Sequence, residues 1–146
     1  MNDDVNGNDD LRTGACLCGA VRFRTRGALR GVIYCHCGQC RRQTGHFVAA
    51  TNVPDERIVI EGGEAIAWFA ASDEAKRGFC GRCGSLLFWK HRDLDTVSVM
   101  AGAFDTPTGL VAECHIFVSD KGDYYTIDDG LPQHARSTDS IVVARD

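Results

Sequence analysis

The sequence predicts a mainly β domain with few or no long helices, and three observations predict it. Apolar and polar residues alternate in short runs, the period of a strand with one buried face. Sixteen glycines punctuate those runs, as expected of many short strands joined by tight turns in a sandwich or folded sheet. Apolar residues recurring at helical spacing are almost absent.

The elements follow in order. Met1 to Asp10 is acidic and carries no apolar stretch, so it reads as a disordered tail and not as a secretory signal. In Val21-Arg22-Phe23-Arg24-Thr25-Arg26, Val21, Phe23 and Thr25 share one face and three arginines the other. Further strands are expected at Gly31 to Cys37, Phe47 to Val53, Arg57 to Glu61, Ala65 to Ala71, Ser85 to Lys90, Thr96 to Ala101, Cys114 to Ser119 and Tyr124 to Ile127. A turn or two of helix is expected after Cys40, over Arg41 to Thr44, and another near Ser72 to Ala75, where Ser72 can cap. Residues 11–135 form the domain, and 136–146 a C-terminal tail in which Ile141-Val142-Val143 can pack or pair as an edge strand.

With 146 residues, 44% hydrophobic and 25% charged, the chain suits one soluble domain with a real core. The net charge of −4 and the lack of a basic run argue against nucleic-acid binding. No apolar run approaches the ~20 residues of a membrane span. The expected location is the cytoplasm, where thiols stay reduced and clustered cysteines act as metal ligands or redox groups more often than as disulfides.

Seven of the eight cysteines fall into three clusters. Cys16 and Cys18 form a C-x-C pair; Cys35, Cys37 and Cys40 form C-x-C-x-x-C; Cys80 and Cys83 form C-x-x-C. On an extended strand residues i and i+2 point the same way, so Cys16 and Cys18 can reach one metal together, as can Cys35 and Cys37, with His36 turned away. Cys80-Gly81-Arg82-Cys83-Gly84 has the form of a zinc knuckle, whose glycines permit the tight turn. A structural zinc takes four ligands and a reactive one takes three with a position open; seven divides as four plus three. Spacing allows two pairings. One joins Cys16 and Cys18 to Cys80 and Cys83 and leaves the triplet open. The other joins the two C-x-x-C turns and leaves Cys16, Cys18 and Cys35. The first uses each local cluster whole and is favoured. Cys114 reads as a buried small hydrophobe, with a fourth ligand to the triplet or an oxidation partner for Cys40 as alternatives.

Three segments together resemble the motifs of a known family. They are Gly14-Ala15-Cys16-Leu17-Cys18-Gly19-Ala20-Val21-Arg22-Phe23, Cys35-His36-Cys37-Gly38-Gln39-Cys40-Arg41-Arg42-Gln43-Thr44-Gly45 and Arg77-Gly78-Phe79-Cys80-Gly81-Arg82-Cys83-Gly84-Ser85. In this order, from about Leu11 to His134, the chain resembles the glutathione-dependent formaldehyde-activating enzymes, a family that includes a centromere protein. The resemblance implies a β-tent-like fold of sheets around zinc. It implies a structural zinc on Cys16, Cys18, Cys80 and Cys83 and a second zinc, at an active site, on Cys35, Cys37 and Cys40. Two zincs per chain are then expected, the three-ligand one being the more easily lost. The implied activity is that of a carbon–sulfur lyase or synthase joining glutathione to formaldehyde as S-hydroxymethylglutathione, or acting on a related thiol–aldehyde pair. Two positions depart from the pattern: Tyr124 stands where a tryptophan is usual, and Cys114 precedes His115.

In that chemistry a three-thiolate zinc binds soft sulfur and deprotonates an incoming thiol, which then attacks an aldehyde carbon. His115 and His46 are the candidates for the acid that protonates the new alkoxide. Arg41 and Arg42, directly after the triplet, are the candidates for holding a glutathione anion. His36 and His91 are expected at the surface or behind the ligands, and Trp68, Phe79, Phe88 and Trp89 in the core. The competing readings are a non-catalytic zinc module that binds a thiol metabolite or a protein partner, and a redox protein using the triplet.

Overall fold

The computed structural model describes residues 10–137; Ile141-Val142-Val143 and nearly all of the acidic N-terminal segment lie outside them. Ten strands form two sheets. The smaller sheet orders β1 (Arg12–Ala15), β2 (Arg22–Thr25) and β5 (Ile58–Glu61), all antiparallel. The larger has seven strands. Its order is β10 (Ala112–Ile116), β3 (Val32–Cys35), β4 (Val48–Pro54), β9 (Thr96–Met100), β8 (Leu86–His91), β7 (Ala75–Cys80) and β6 (Ile66–Phe69). Only β10 and β3 pair in parallel. One α-helix, α1 (Gly38–Thr44), interrupts the strands. The mainly β architecture is the one the alternating runs and glycines predict. No helix among the described residues is long and apolar enough to cross a membrane.

The alternation of β2 works as its sequence requires. Phe23 and Thr25 are buried and Arg22 and Arg24 exposed. Phe23 meets Phe88 of the large sheet edge-on at 5.8 Å and Phe104 at 5.1 Å, the geometry that ring quadrupoles favour. With Val21, Val53, Leu87, Val97 and Val99 these rings form the main core between the sheets. A Cβ on Gly14 would stand 2.3 Å from the Phe23 ring and 2.4 Å from the Ala103 carbonyl, so this close approach admits no larger residue. Truncating Phe23 to alanine is expected to cost about 3–5 kcal/mol, read as a lower denaturant midpoint in an equilibrium titration.

Some elements differ from the sequence reading. Ser72 does cap, accepting from the backbone N–H of Glu74 and Ala75, but it opens β7 and no helix; pairing on both sides decides this, since β7 lies between β6 and β8. β1 is a four-residue strand too short to show a period. Tyr124 to Ile127 is irregular. The helix begins at Gly38, three residues before the expected Arg41, because Cys37 caps it: its sulfur accepts from the Cys40 N–H. Gly45 closes it in the left-handed conformation, with φ 82°.

Candidate metal centres and cavity

The strand order brings the cysteines into two groups. Cys16 and Cys18 lie in the connection from β1 to β2, and Cys80 and Cys83 in the tight turn from β7 to β8. Their four sulfurs lie within 4.8 Å of one another, so this group joins the small sheet to the large one. Cys35, at the end of β3, and Cys37 and Cys40, at the start of α1, form the second group, also within 4.8 Å. Each group can hold a metal ion.

The donor sets fit one. Tetrahedral ligation at about 2.3 Å puts sulfurs about 3.8 Å apart; Cys16 and Cys18 are 3.7 Å apart and Cys18 and Cys80 3.8 Å, far beyond the ~2.0 Å of a disulfide. Backbone N–H groups already point at the sulfurs, from Val21 to Cys16 and from Arg82 to Cys80, each at 3.3 Å. Ser85, by hydrogen bonding to Cys83, brings that thiol down to about 5. In the triplet, hydrogen bonds from Cys35 and Cys40 bring Cys37 down to about 2, and the same contacts push Cys35 far up. A cation among the three sulfurs would favour their thiolate forms.

No other cysteine, histidine or carboxylate among the described residues joins the triplet. Cys114 is buried with Ile33 and Ile116 in a small cluster against which Cys35 packs, as a small hydrophobe would be, and its sulfur is not one of the converging three. Instead of a fourth ligand the triplet faces a cavity of about 550 Å³, within the range of roughly 300–1,000 Å³ typical of small-molecule sites. Strand register builds its floor: Ile33 faces Ala50, Cys35 faces Val48, Ala50 faces Met100 and Asn52 faces Ser98, and all of these line the cavity. The lining is largely apolar, with Gln39 beside the cysteines and Asn52, Glu74, His91, Thr96 and Ser98 among its polar residues.

Two cations line the cavity, and neither is Arg41 or Arg42. Arg77, which the sequence reading passed over, is 7% exposed. It donates to Gln43 Oε1 and Gln39 Oε1, both at 3.0 Å, and its Nη1 lies 3.7 Å from Cys40 Sγ. Its position three residues before Cys80, inside the third motif, was the available signal. Arg30 is the other; it stands in the connection before β3, where no pattern marks it. Trp89 also lines the cavity, and Trp68 is 41% exposed. Both depart from the expected core role: Trp89 because it pairs with Ser98 on the cavity face, and Trp68 because β6 is the edge strand of the large sheet.

His115 and His36 lie on the opposite face of the sheet, as alternation with Cys114 and Cys35 requires, and neither lines the cavity. His36 is fully buried, not at the surface. The two join a hydrogen-bonded chain. His115 Nε2 is 2.8 Å from Asp129 Oδ2, His115 Nδ1 is 2.8 Å from His36 Nε2, and His36 Nδ1 meets the Tyr125 hydroxyl. The two imidazoles thus link the Asp129 carboxylate to the Tyr125 hydroxyl. Burial, then His115, lowers His36 to about 4. His46 stands outside the cavity, against Phe47 and Tyr125.

With this geometry described, the comparisons with known proteins decide the family. The sequence model described as "Glutathione-dependent formaldehyde-activating enzyme" matches residues 11–120. The chain belongs to the glutathione-dependent formaldehyde-activating enzyme family. A Halomonas elongata protein named "Putative glutathione-dependent formaldehyde-activating enzyme" is 30% identical over 128 residues, covering 81% of this chain and 82% of that one. An uncharacterised lyase of Schizosaccharomyces pombe is 26% identical over 113 residues, covering 77% and 82%. The crystal structure of a Rhodobacter sphaeroides protein superposes with a TM-score of 0.55 at 24% identity, covering 68% of this chain and 97% of that one, a likeness of fold. As a formaldehyde-activating-type protein the chain has an enzyme's family relations, those of a lyase connected with glutathione and formaldehyde.

Proposed function

We propose that this protein is a zinc-dependent carbon–sulfur lyase or synthase acting on a thiol–aldehyde adduct, with glutathione and formaldehyde or a related pair as substrates, in a reducing compartment such as the cytoplasm. The observation that carries the reading is a triplet of converging sulfurs with no fourth described ligand, opening onto a cavity of small-molecule size. In this reading Cys16, Cys18, Cys80 and Cys83 hold a structural zinc and Cys35, Cys37 and Cys40 a second one.

When bound at the triplet, zinc supplies the charge that ionises a thiol and keeps its sulfur in place. The chain's own residues do the rest. The apolar floor, with Val48, Ala50 and Ile116, excludes water and strengthens charge interactions at the cysteines. Arg77 offsets part of the negative charge gathered at Cys40. In the forward direction the thiol proton passes to solvent at the cavity mouth, sulfur bonds to the aldehyde carbon, and the carbonyl π pair moves to oxygen, which takes a proton from the same solvent. The reverse direction breaks the same carbon–sulfur bond. His115 acts at one remove: through His36 it steadies the backbone between Cys35 and Cys37.

The test is metal content on freshly purified, reduced protein, with and without glutathione. Two zincs per chain, or one rising to two when the thiol is added, are expected. A single zinc unmoved by added zinc and thiol would overturn the reading.

A further inference from the structure

We propose that Arg30 is the anchor for a carboxylate on the thiol substrate, held on the cavity wall while the substrate's sulfur lies at the Cys35–Cys37–Cys40 cluster. The proposal rests on the reading of the triplet given above and names the residue that selects an anionic thiol.

Arg30 lines the cavity and is only partly exposed. Its guanidinium donates from Nε to the Gly31 carbonyl at 3.1 Å and from Nη2 to the Ala50 carbonyl at 2.9 Å. Both acceptors are neutral. Glu113, on β10, acts on it through space, but no carboxylate among the described residues forms an ion pair with it. Burial lowers it to about 10, with Glu113 and then Cys114 acting the other way. A partly buried guanidinium fixed by two carbonyls and without a direct ion pair among the described residues is placed to take one: its planar fork matches a carboxylate, and the bond is stronger where water is thinned.

The distances suit one molecule. Ala50, whose carbonyl Arg30 holds, lies opposite Ile33, and Cys35 is the next residue of β3 on the same face. Successive same-face residues are about 7 Å apart along a strand. The floor over that distance is Ile33, Val48 and Ala50, so the span between sulfur and carboxylate crosses apolar surface. Arg77 does not compete for the role: its two terminal nitrogens are engaged by Gln39 and Gln43, and its Nε is buried.

Calorimetric titration of the zinc-loaded protein with two thiols tests this. 3-Mercaptopropionate carries the carboxylate and 2-mercaptoethanol does not. Arg30→Gln is expected to weaken the anionic thiol about 10–100-fold, the value of a charge-assisted hydrogen bond, and to leave the neutral thiol within about twofold. Arg30→Lys should restore part of the loss. Equal loss for both thiols would show that Arg30 only supports the fold and would overturn the proposal, as would no loss for either. Absence of thiol binding in the unsubstituted protein would instead overturn the reading of the triplet, and this proposal with it.

Discussion

Cys80→Ser is expected to abolish stable folding at 37 °C. Cys80 is fully buried within the main core and belongs to the sulfur group that ties the small sheet to the large one. A structural zinc contributes about 10–16 kcal/mol in small zinc domains, as much as the whole net stability of about 5–15 kcal/mol of an ordinary domain. The three thiolates left behind would bind metal far more weakly, and serine would bury a hydroxyl against Val21, Leu87 and Phe88. Circular dichroism on heating, with metal analysis alongside, reads both effects. A variant that melts within a few degrees of the parent and keeps its metal would refute a structural metal at this group.

Cys37→Ser is expected to do the opposite: keep the fold, lower metal content from two ions to one, and remove at least about 100-fold of the catalysed thiol–aldehyde rate, since even residues behind a metal ligand contribute 10–100-fold. Serine is chosen because Cys37 also caps α1, and a serine oxygen takes over that cap well. What changes is then the sulfur and not the helix. The uncatalysed condensation must be subtracted, so the measurement is the rate above a protein-free control. Global unfolding would mean that the triplet, too, is structural. Retained fold and retained rate, with one metal lost, would move the chemistry away from these cysteines and leave the binding module as the better account.

These contrasting outcomes come from where each group sits. The first lies between the sheets, its members drawn from a connection in each. The second lies at one end of the large sheet, on the face away from the main core, where it opens to the cavity. Local spacing cannot distinguish the two settings. C-x-C and C-x-x-C fix only how two neighbouring sulfurs can aim together; burial depends on strand order, and strand order is a long-range property.

The same division runs through the rest of the molecule. Local pattern was enough for the β class, for most of the strands and for the short helix beside Cys40, because each depends on periods of a few residues and on turn glycines. It was enough to mark the cysteines as groups that could hold a metal, because short gaps place sulfurs within a metal's reach whatever surrounds them. It was not enough for β7, whose Ala75–Cys80 run has two partners but no clear period. Nor did it mark the cavity's cations. Arg41 and Arg42 are neighbours of the triplet in sequence, but the helix turns them away from the cavity, whereas Arg77 and Arg30 arrive from distant strands. His115 likewise stands beside a cavity-facing residue in sequence and on the other side of the sheet in space. The sequence by itself determined the fold class, most of the elements and which residues could ligate metal. Tertiary structure alone decided which of the two sulfur groups bridges the sheets and which opens to the cavity, which charges line that cavity, and that His36 and His115 are kept from it, because a pleated sheet sends adjacent residues to opposite faces and brings distant ones together.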